Sequence, residues 1–494
     1  MNFRPPALAA VAAALTAAAS GCVGPDFHRP APPRTDRYTL EPVPAATAAA
    51  PGIGGAAQVF LEDQDVPRDW WRLFGSAELD DLVDQALHAN PSVVSAQAAL
   101  RQALENTAAQ RGYYFPTAQA AFDANRNRDA VGVLAPTLNS GSPLYNLFTP
   151  QVTVSYVPDV FGANRRAVES LSAQAEASRF DLDATYLTLT ANVVTAAVQE
   201  AGLRAQIEGT GQVIELARQS LTVLERATAL GAVAEVDVYA QNAVLAQLEG
   251  TLAPLHKQLA QTRDQLAILT GHLPADFKPA HFTLDQLVLP TALPLGVPSQ
   301  LVERRPDVRA AEARLHSATA SVGVATANLL PQVTLTGNAG STAAVFADLF
   351  EPGTGFWRIG ANVAQTVFDG GTLIHRKRAA DAALEQAAAQ YRSVVLTAFQ
   401  NVADALYALR IDADALQSAS RAERAAQKSV GVARHQLELG SIGYLGLIAA
   451  EQTYNQAVVT LAQARANRFT DTAALFQALG GSLSAAAAPL AKQP

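Results

Sequence analysis

The segment Tyr391–Leu416 reads YRSVVLTAFQNVADALYALRIDADAL, and its apolar residues recur in steps of three and four. It lies in a run from Gly371 to Leu439 that contains no proline. Steps that average about 3.5 residues are the spacing of a coiled-coil seam. At ~1.5 Å per residue, the whole run predicts a helix on the order of 100 Å long, which is longer than any ordinary globular core.

The chain contains this unit twice. The stretch from Asn90-Pro91 to Phe115-Pro116 matches the stretch from Arg305-Pro306 to Leu330-Pro331 at an offset of 215 residues. Further along, Leu230-Gly231 matches Leu439-Gly440 at an offset of 209 residues. A period near 210 is much longer than the roughly 20–50 residues of a solenoid repeat. We therefore interpret it as the duplication of a whole structural half.

Each half predicts the same order of elements: helix, two strands, very long helix, turn and long return helix. The first-half counterpart of the long helix runs from about Ala163 to Ala229. Gly231 and Gly440 follow the two long helices as C-cap glycines would. The return helices are expected to extend to about Thr270 and Leu479. A two-stranded fibrous coiled coil is the alternative, but it explains neither the strands nor the duplication.

Four short segments alternate between apolar and polar residues, which is typical of strands with one face of each kind. They lie at Pro116–Asn125, Gln151–Tyr156, Gln332–Asn338 and Trp357–Val363. The edge of a soluble sandwich gives the same pattern, so alternation alone leaves two interpretations open.

Composition excludes several classes of protein. The 494 residues carry a net charge of −8 and no long basic run, so a nucleic-acid binder that neutralises phosphates is not expected. One cysteine excludes an intrachain disulfide, a cysteine-based zinc site and an iron–sulfur cluster. Charged residues make up 16%, below the roughly 25% of average proteins, which suggests surfaces that meet something other than bulk water.

No pattern of catalytic residues emerges, so we predict that the protein is not an enzyme. The eight histidines form no cluster with ligand spacing, and Gly52-Ile53-Gly54-Gly55 neither follows a strand nor opens a helix. We attribute a solubility role, or a place in a belt around the middle of the molecule, to the short basic cluster Arg376-Lys377-Arg378.

The N-terminus resembles an export signal. Residues 1–21 have one charge, an apolar stretch and small residues directly before Cys22. The only cysteine at this point resembles a bacterial lipoprotein signal, which implies a diacylglycerol and an acyl chain on Cys22. Val23, rather than Asp, favours release to the outer membrane. An ordinary signal peptide with an incidental buried cysteine is the alternative.

The Pro- and Ala-rich residues 22–67 are expected to be extended chain on a folded body or loose linker.

Strands and anchor together suggest a membrane protein. No run after the signal is apolar enough to span a bilayer as a helix, and lipid tolerates only helices or closed barrels. Four strands cannot close, because the smallest bacterial barrels need about eight. Two chains would give eight strands around a filled interior, whereas three would give twelve around a lumen. If the strands span the membrane, the protein is most simply a trimer, and the long helices continue the barrel as an aqueous tube.

Several motifs, spread in order over the whole chain, resemble the outer-membrane factors of the TolC superfamily, above all the OprM/NodT-type lipoproteins of resistance-nodulation-division efflux pumps. They are Cys22-Val23-Gly24-Pro25-Asp26-Phe27, Trp70-Trp71-Arg72-Leu73-Phe74, Glu303-Arg304-Arg305-Pro306-Asp307 and Phe368-Asp369-Gly370-Gly371. The resemblance implies a mostly α fold with membrane β structure, in which a trimeric β-barrel with four strands per chain continues into a periplasmic α-helical barrel. It also implies a homotrimer in outer-membrane lipid, docked to a periplasmic adaptor and an inner-membrane pump, with no cofactor and no chemistry.

The resemblance places a periplasmic aperture near residues 440–456. Tyr444 and Leu445 match the family pattern, whereas Ala449 and Gln452 stand where the family commonly has Asp and Arg. The sequence therefore does not determine which residues form the constricting ring. Lumen carboxylates are expected instead from Glu451, or from Glu235 and Asp237 at the first-half turn; ordinary solvated helix surface is the alternative.

The predicted organisation has five parts: a signal peptide (1–21), a lipid-anchored extended segment (22–67), a first repeat (68–290), a second repeat (291–482) and a flexible tail (483–494). The predicted function is a passive outer-membrane exit duct for small toxic solutes or drugs. A type I protein-secretion duct and a coiled-coil envelope lipoprotein without a pore are the alternatives.

Overall fold

The computed structural model describes residues 23–62, 64–128, 144–278 and 281–480. The chain divides into two compact units. The first, called here the sheet unit, comprises the segment ending at Arg29 together with Leu100–Ala177 and Ala311–Tyr391. The second, called the helical unit, comprises Pro30–Ala99, Ser178–Ala310 and the chain from Arg392 onward. Cys22, the signal peptide 1–21 and the tail 483–494 lie outside the described residues.

The described residues form eight α-helices and six β-strands. The helices are α1 (Ala77–Ala89), α2 (Pro91–Arg111), α3 (Ala163–Ala229), α4 (Glu235–Leu269), α5 (Pro298–Arg304), α6 (Pro306–Ala327), α7 (Thr372–Glu438) and α8 (Tyr444–Leu479). The strands are β1 (Val59–Glu62), β2 (Thr117–Arg128), β3 (Leu144–Tyr156), β4 (Ala292–Leu295), β5 (Gln332–Ser341) and β6 (Gly355–Ala364).

The sheet unit is built on four strands in the order β2-β3-β5-β6, and each neighbouring pair is antiparallel. Val152 pairs with Ala120 on one side and Ala339 on the other, and Ala339 pairs with Trp357. Paired residues point to the same side of a sheet. This register therefore fixes the composition of both faces.

One face consists of apolar side chains and glycine across most of its width. From β2 to β6 it presents Ala118, Ala120, Phe122, Ala124, Phe148, Pro150, Val152, Val154, Tyr156, Val333, Leu335, Gly337, Ala339, Trp357, Ile359, Ala361 and Val363. The other face is mainly polar and includes Gln119, Asp123, Asn125, Gln151, Thr153, Ser155, Thr334, Thr336, Asn338, Arg358 and Asn362. Trp357 and Ile359 are 76% and 81% exposed, so the described residues do not cover this part of the apolar face.

The helical unit buries the seam that the sequence predicts. On α7 the buried positions of this unit begin at Val395 and continue through Val402, Leu409 and Leu416. The earlier seam position Ala388 is exposed and belongs to the sheet unit. An aromatic cluster closes the core of the helical unit, with Trp70 packed on Phe476 and Phe74 on Phe469 at ring-centroid distances of 5.4 and 6.3 Å.

From Pro30 onward, the segment before the helices belongs to the helical unit, where it is extended chain on a folded body and not a loose linker. Strand β1 pairs in parallel with β4, and Gln58 is fully buried. The Gln58 amide donates to the Thr472 hydroxyl at 2.8 Å and to the Pro290 carbonyl at 2.9 Å. The pairing of β1 with β4 has no counterpart in the sequence prediction, because four residues are too few for a periodic pattern.

The long elements agree with the sequence prediction to within a few residues. Helix α3 has the predicted ends, and α7 is one residue shorter at each end. Strands β2 and β5 run about three residues beyond the predicted ends, whereas β3 begins at Leu144, well before the predicted start at Gln151. No described helix is both long enough and apolar enough to cross a bilayer. The boundaries of the five predicted parts of the chain stay predictions.

Candidate functional site: the helical turns and the sheet

Two turns of the same construction join the long helices to their return helices. Gly231 and Gly440 have φ values of +70° and +66°, in the left-handed region that glycine adopts most easily. The residue after each glycine donates its N–H to a carbonyl five residues earlier, Ala232 to Ala227 and Ser441 to Gln436, both at 2.9 Å. These bonds satisfy the last carbonyls of α3 and α7 and define a Schellman-type end. The predicted C-cap role of both glycines follows from this geometry.

Four of the predicted aperture residues lie at the starts of the return helices. Glu235 and Asp237 occupy the first turn of α4, where acidic side chains stabilise the helix dipole. Tyr444 is the first residue of α8 and is half-buried, and Leu445 beside it is 68% exposed. Burial and the nearby charge of Asp237 raise the pKa of Tyr444. Their aperture role stays a prediction.

The fifth predicted aperture residue, Glu451, lies in the protein interior and not on a surface that could line a lumen. Its side chain is fully buried, so its carboxylate does not face open solvent as a lumen carboxylate would. Ser220 donates a 2.8 Å hydrogen bond to Oε1, and Gln241 donates a 3.3 Å bond to Oε2. Arg434 lies 3.5 Å from Oε1. The lumen role predicted for Glu451 therefore does not agree with its position, because packing removes the carboxylate from the surface.

This carboxylate joins four helices, since Ser220, Gln241, Arg434 and Glu451 belong to α3, α4, α7 and α8. Buried polar groups of this kind are stable only when their hydrogen bonds are satisfied. The sequence does contain a signal for this arrangement. Glu451 lies four residues after Leu447 and three before Tyr454, on the apolar stripe of α8.

A second buried polar group also escaped sequence analysis. Arg468 is fully buried and donates to the Leu409 carbonyl at 2.8 Å and to the Thr47 hydroxyl at 3.1 Å. Beside it, burial and the hydrogen-bonded carboxyl of Asp412 raise the pKa of Asp471 to about 8. Arg468 thus ties the N-terminal segment to α7 and α8, and the surroundings of Asp471 favour its protonated form.

The start of the described chain is held on the sheet unit by charge and stacking. Asp26 accepts a 2.6 Å hydrogen bond from Arg166, which lowers the pKa of its carboxyl. The ring of Phe27 stacks on His316 at 4.4 Å, and Arg29 lies 3.0 Å from Glu312. These contacts fix residues 23–29, directly after the predicted anchor, on α3 and α6.

Among the described residues, no group of three or more His, Cys, Asp or Glu side chains is arranged to hold a metal ion. The features that these residues present are a sheet with one apolar face, two helical turns and a fixed N-terminal segment.

A model of the outer membrane efflux protein family matches residues 82–272 and 297–481 of this chain. The chain belongs to this family. The two matched blocks each contain one copy of the repeated order of helices and strands.

Known members are similar over nearly the full length. The pyoverdine export outer membrane protein OpmQ of Pseudomonas putida is 29% identical over 444 residues, which cover 89% of this chain and 94% of OpmQ. Outer membrane protein OprJ of Pseudomonas aeruginosa is 28% identical over 485 residues, 97% of each chain. The solved outer-membrane channel OprN superposes with a TM-score of 0.83 at 28% identity, over 93% of this chain and 99% of that one.

These findings confirm the predicted family and fold class, and with them the general function. The protein is an outer-membrane channel component of an efflux system and resides in the outer membrane.

Proposed function

We propose that three copies of this chain close into a twelve-stranded barrel through which small toxic solutes leave the cell. The observation that carries the proposal is the sheet. It has four strands, two edges with no partner strand among the described residues, and one apolar face. A sheet with open edges cannot lie in lipid, because unpaired backbone groups find no water there.

The direction of the strands allows identical copies to close the barrel. Four antiparallel strands leave β2 and β6 running in opposite directions. An exposed edge β6 of one copy can therefore pair antiparallel with β2 of the next, and the alternation continues around the ring. Their lengths of 12 and 10 residues suit transmembrane strands, which need about 9–11.

The two faces assign inside and outside. The apolar face, which includes Trp357 and Ile359, would meet lipid tails, and the face with Asp123 and Arg358 would line an aqueous lumen. The sheet also distinguishes this proposal from a coiled-coil lipoprotein without a pore, which has no use for an uncovered apolar sheet.

The class of solute is inferred from relatives. Similar proteins are named for the export of pyoverdine, toluene and antibiotics. We infer that this chain serves a tripartite pump for small toxic solutes or drugs, with a periplasmic adaptor and an inner-membrane resistance-nodulation-division pump as partners. A lipid on Cys22 would complete its attachment to the outer membrane.

The test is the protein mass of the particle extracted in mild detergent, with conductance of the same preparation in a planar bilayer. We expect about three times the chain mass of 51.7 kDa, less the signal peptides, and stable single channels. A detergent-free monomer, or a trimer that conducts nothing, would overturn the proposal.

A further inference from the structure

The sheet unit carries a group of basic residues at one end of its sheet. The pairs Thr117–Ser155 and Gln332–Ala364 show that β2 and β5 begin at the same end at which β3 and β6 finish. Helices α2, α3, α6 and α7 all adjoin the strands at this end. The residues just outside the strands therefore lie next to the boundary of the apolar face.

Exposed aromatic and apolar side chains come first beyond the strands. Phe115 precedes β2 and is 70% exposed, whereas Val367 and Phe368 follow β6 and are 94% and 89% exposed. Aromatic side chains are enriched where hydrocarbon meets headgroups, because they combine apolar area with a tolerance for water. This layer marks where a bilayer that covers the apolar face would end.

Basic side chains come next. Arg111 ends α2, Arg165 lies in the first turn of α3, and Arg376 and Arg378 lie in the first two turns of α7. These four residues, called here the arginine collar, are exposed, and none has an ion-pair partner in the part of the chain that the structure describes.

The nearby carboxylates are already engaged. Asp159 accepts hydrogen bonds from the backbone N–H groups of Asn164 and Arg165 at 2.9 and 2.7 Å. Asp369 caps α7 in the same way, and Asp381 pairs with Lys377 at 2.8 Å. Neither long helix has an acidic residue in its first turn, where acidic side chains would be the stabilising choice. Among the described residues, these carboxylates are bound to backbone N–H groups or to Lys377 and not to the guanidinium groups of the collar.

We propose that the arginine collar binds the phosphate groups of anionic phospholipids in the leaflet at this end of the sheet. The proposal rests on the proposed function, since it requires the apolar face to lie in lipid. Arg side chains bind phosphate in a bidentate manner, and clusters of basic residues beside a membrane-embedded surface attract anionic lipid. The apolar face, the aromatic layer and the collar follow one another in the order that a bilayer leaflet presents hydrocarbon, interface and headgroup.

The probe is phosphatidylglycerol, with phosphatidylcholine as the uncharged comparison. Detergent-solubilised full-length protein is mixed with equal mole fractions of both, and native mass spectrometry counts the lipids that remain bound. We expect phosphatidylglycerol to be retained in preference, by about fivefold for each arginine that contacts a headgroup. Raising the salt concentration should reduce the preference, because the collar is exposed.

The variant carries Arg111→Gln, Arg165→Gln, Arg376→Gln and Arg378→Gln. A matched control carries Gln at four other exposed basic positions, namely Arg101, Arg226, Arg392 and Arg421. The proposal requires the collar variant to lose the preference and the control to keep it. Equal retention of both lipids by the wild-type protein, or an unchanged preference in the collar variant, would overturn it. Conductance separates the two proposals: a collar variant that still forms channels leaves the proposed duct intact.

Discussion

At the residue scale, the carboxylate of Glu451 is the point where four helices meet through hydrogen bonds. Its contacts with Ser220, Gln241 and Arg434 replace the solvent that a surface carboxylate would have. In this structure these contacts connect α3, α4, α7 and α8.

We predict that Glu451→Ala destabilises the protein by about 1–3 kcal/mol, because it leaves buried donors without an acceptor. Glu451→Gln keeps an oxygen that can accept from Ser220 and should cost less. Thermal unfolding of both variants measures the difference. Glu438→Ala is the control, since the Glu438 side chain is 75% exposed. Equal losses for Glu451→Ala and Glu438→Ala would show that the buried contacts contribute nothing.

Asp471 predicts a pH dependence of stability. Its pKa is about 8 in the folded protein, against an ordinary value of 3.8. Folding therefore favours the protonated carboxyl, and this stabilisation is complete below about pH 4 and is lost as the pH rises to 8. Asp471→Asn removes the titration, so its melting temperature should fall less between pH 5 and pH 9 than that of the wild type. The expected difference is on the order of a few °C.

Asp414→Asn, which changes an exposed carboxyl on the same helix as Asp412, serves as the control for this measurement. If wild type and Asp471→Asn lost stability in parallel with rising pH, the carboxyl pair of Asp412 and Asp471 would not be the cause. The groups that face Asp471 are Asp412 and Arg468, and both remain in the variant.

Residues of this kind limit what sequence analysis can find. Glu451 and Glu235 look alike in the sequence, since each follows a helical turn by a few residues, yet one is buried and the other exposed. What separates them is contact with helices more than 200 residues away, as in the bond from Ser220. Only the spacing of Glu451 from Leu447 indicated burial.

At the scale of elements, the two faces of the sheet predict opposite responses to the same substitution. Ile359 and Asn362 lie three residues apart on β6 and point to different faces. Ile359→Arg should cost about 2–4 kcal/mol if that face meets lipid, and Asn362→Arg should be tolerated. The yield of membrane-inserted protein that migrates anomalously without heating measures both. Equal yields would contradict the assignment of the faces.

The fixed N-terminal segment makes a separate prediction. Gly24 has a φ of +102°, and a Cβ there would lie 2.4 Å from the Cα of Gly323. We expect Gly24→Ala to detach residues 23–29, seen as faster hydrogen exchange and cleavage by protease. Gly211→Ala is the control, because a Cβ at Gly211 meets no atom within 4 Å and should stabilise α3 by about 0.5–1 kcal/mol. Unchanged exchange in Gly24→Ala would mean that the close contact is dispensable.

Long elements could be predicted because local signals delimit them. Proline, glycine and a sustained period locate α3 and α7 almost to the residue. Alternation locates the strands but not their register, which depends on pairing across the chain, as between Tyr156 and Leu335. The alternation of each strand predicts one apolar face. Only the register in the structure shows that the four faces form one continuous surface.

At the scale of the whole molecule, the assembled channel should respond to charges on the polar face of the sheet. Three copies would place three Asp123 and three Arg358 side chains around the lumen. Asp123→Asn should lower the preference for cations, and Arg358→Gln should raise it, as measured by the reversal potential in a salt gradient. Opposite shifts in the two variants exclude a general disturbance, and no shift in either would place both residues away from the ion path.

The duplication was visible in the sequence because it preserves the positions that backbone geometry requires. Gly231 and Gly440 keep the same left-handed turn, and Asp159 and Asp369 keep the same capping role. The side chains between these positions have diverged, so Arg166 is buried and paired while Arg376 is exposed. The number of copies that assemble is a property of unpaired edges, which no local pattern encodes.

The open edges of β2 and β6 also determine how such a protein can be made. A newly exported chain that had already formed its sheet would carry an apolar face and two unpaired strand edges through an aqueous compartment, which invites aggregation. We expect the sheet to stay unformed or escorted by a chaperone until other copies are present, whereas the buried seam of the helical unit can form within one chain. Assembly should then depend on the concentration of the chain at the membrane. A shortage of the chaperone should leave chains with folded helices but no closed barrel.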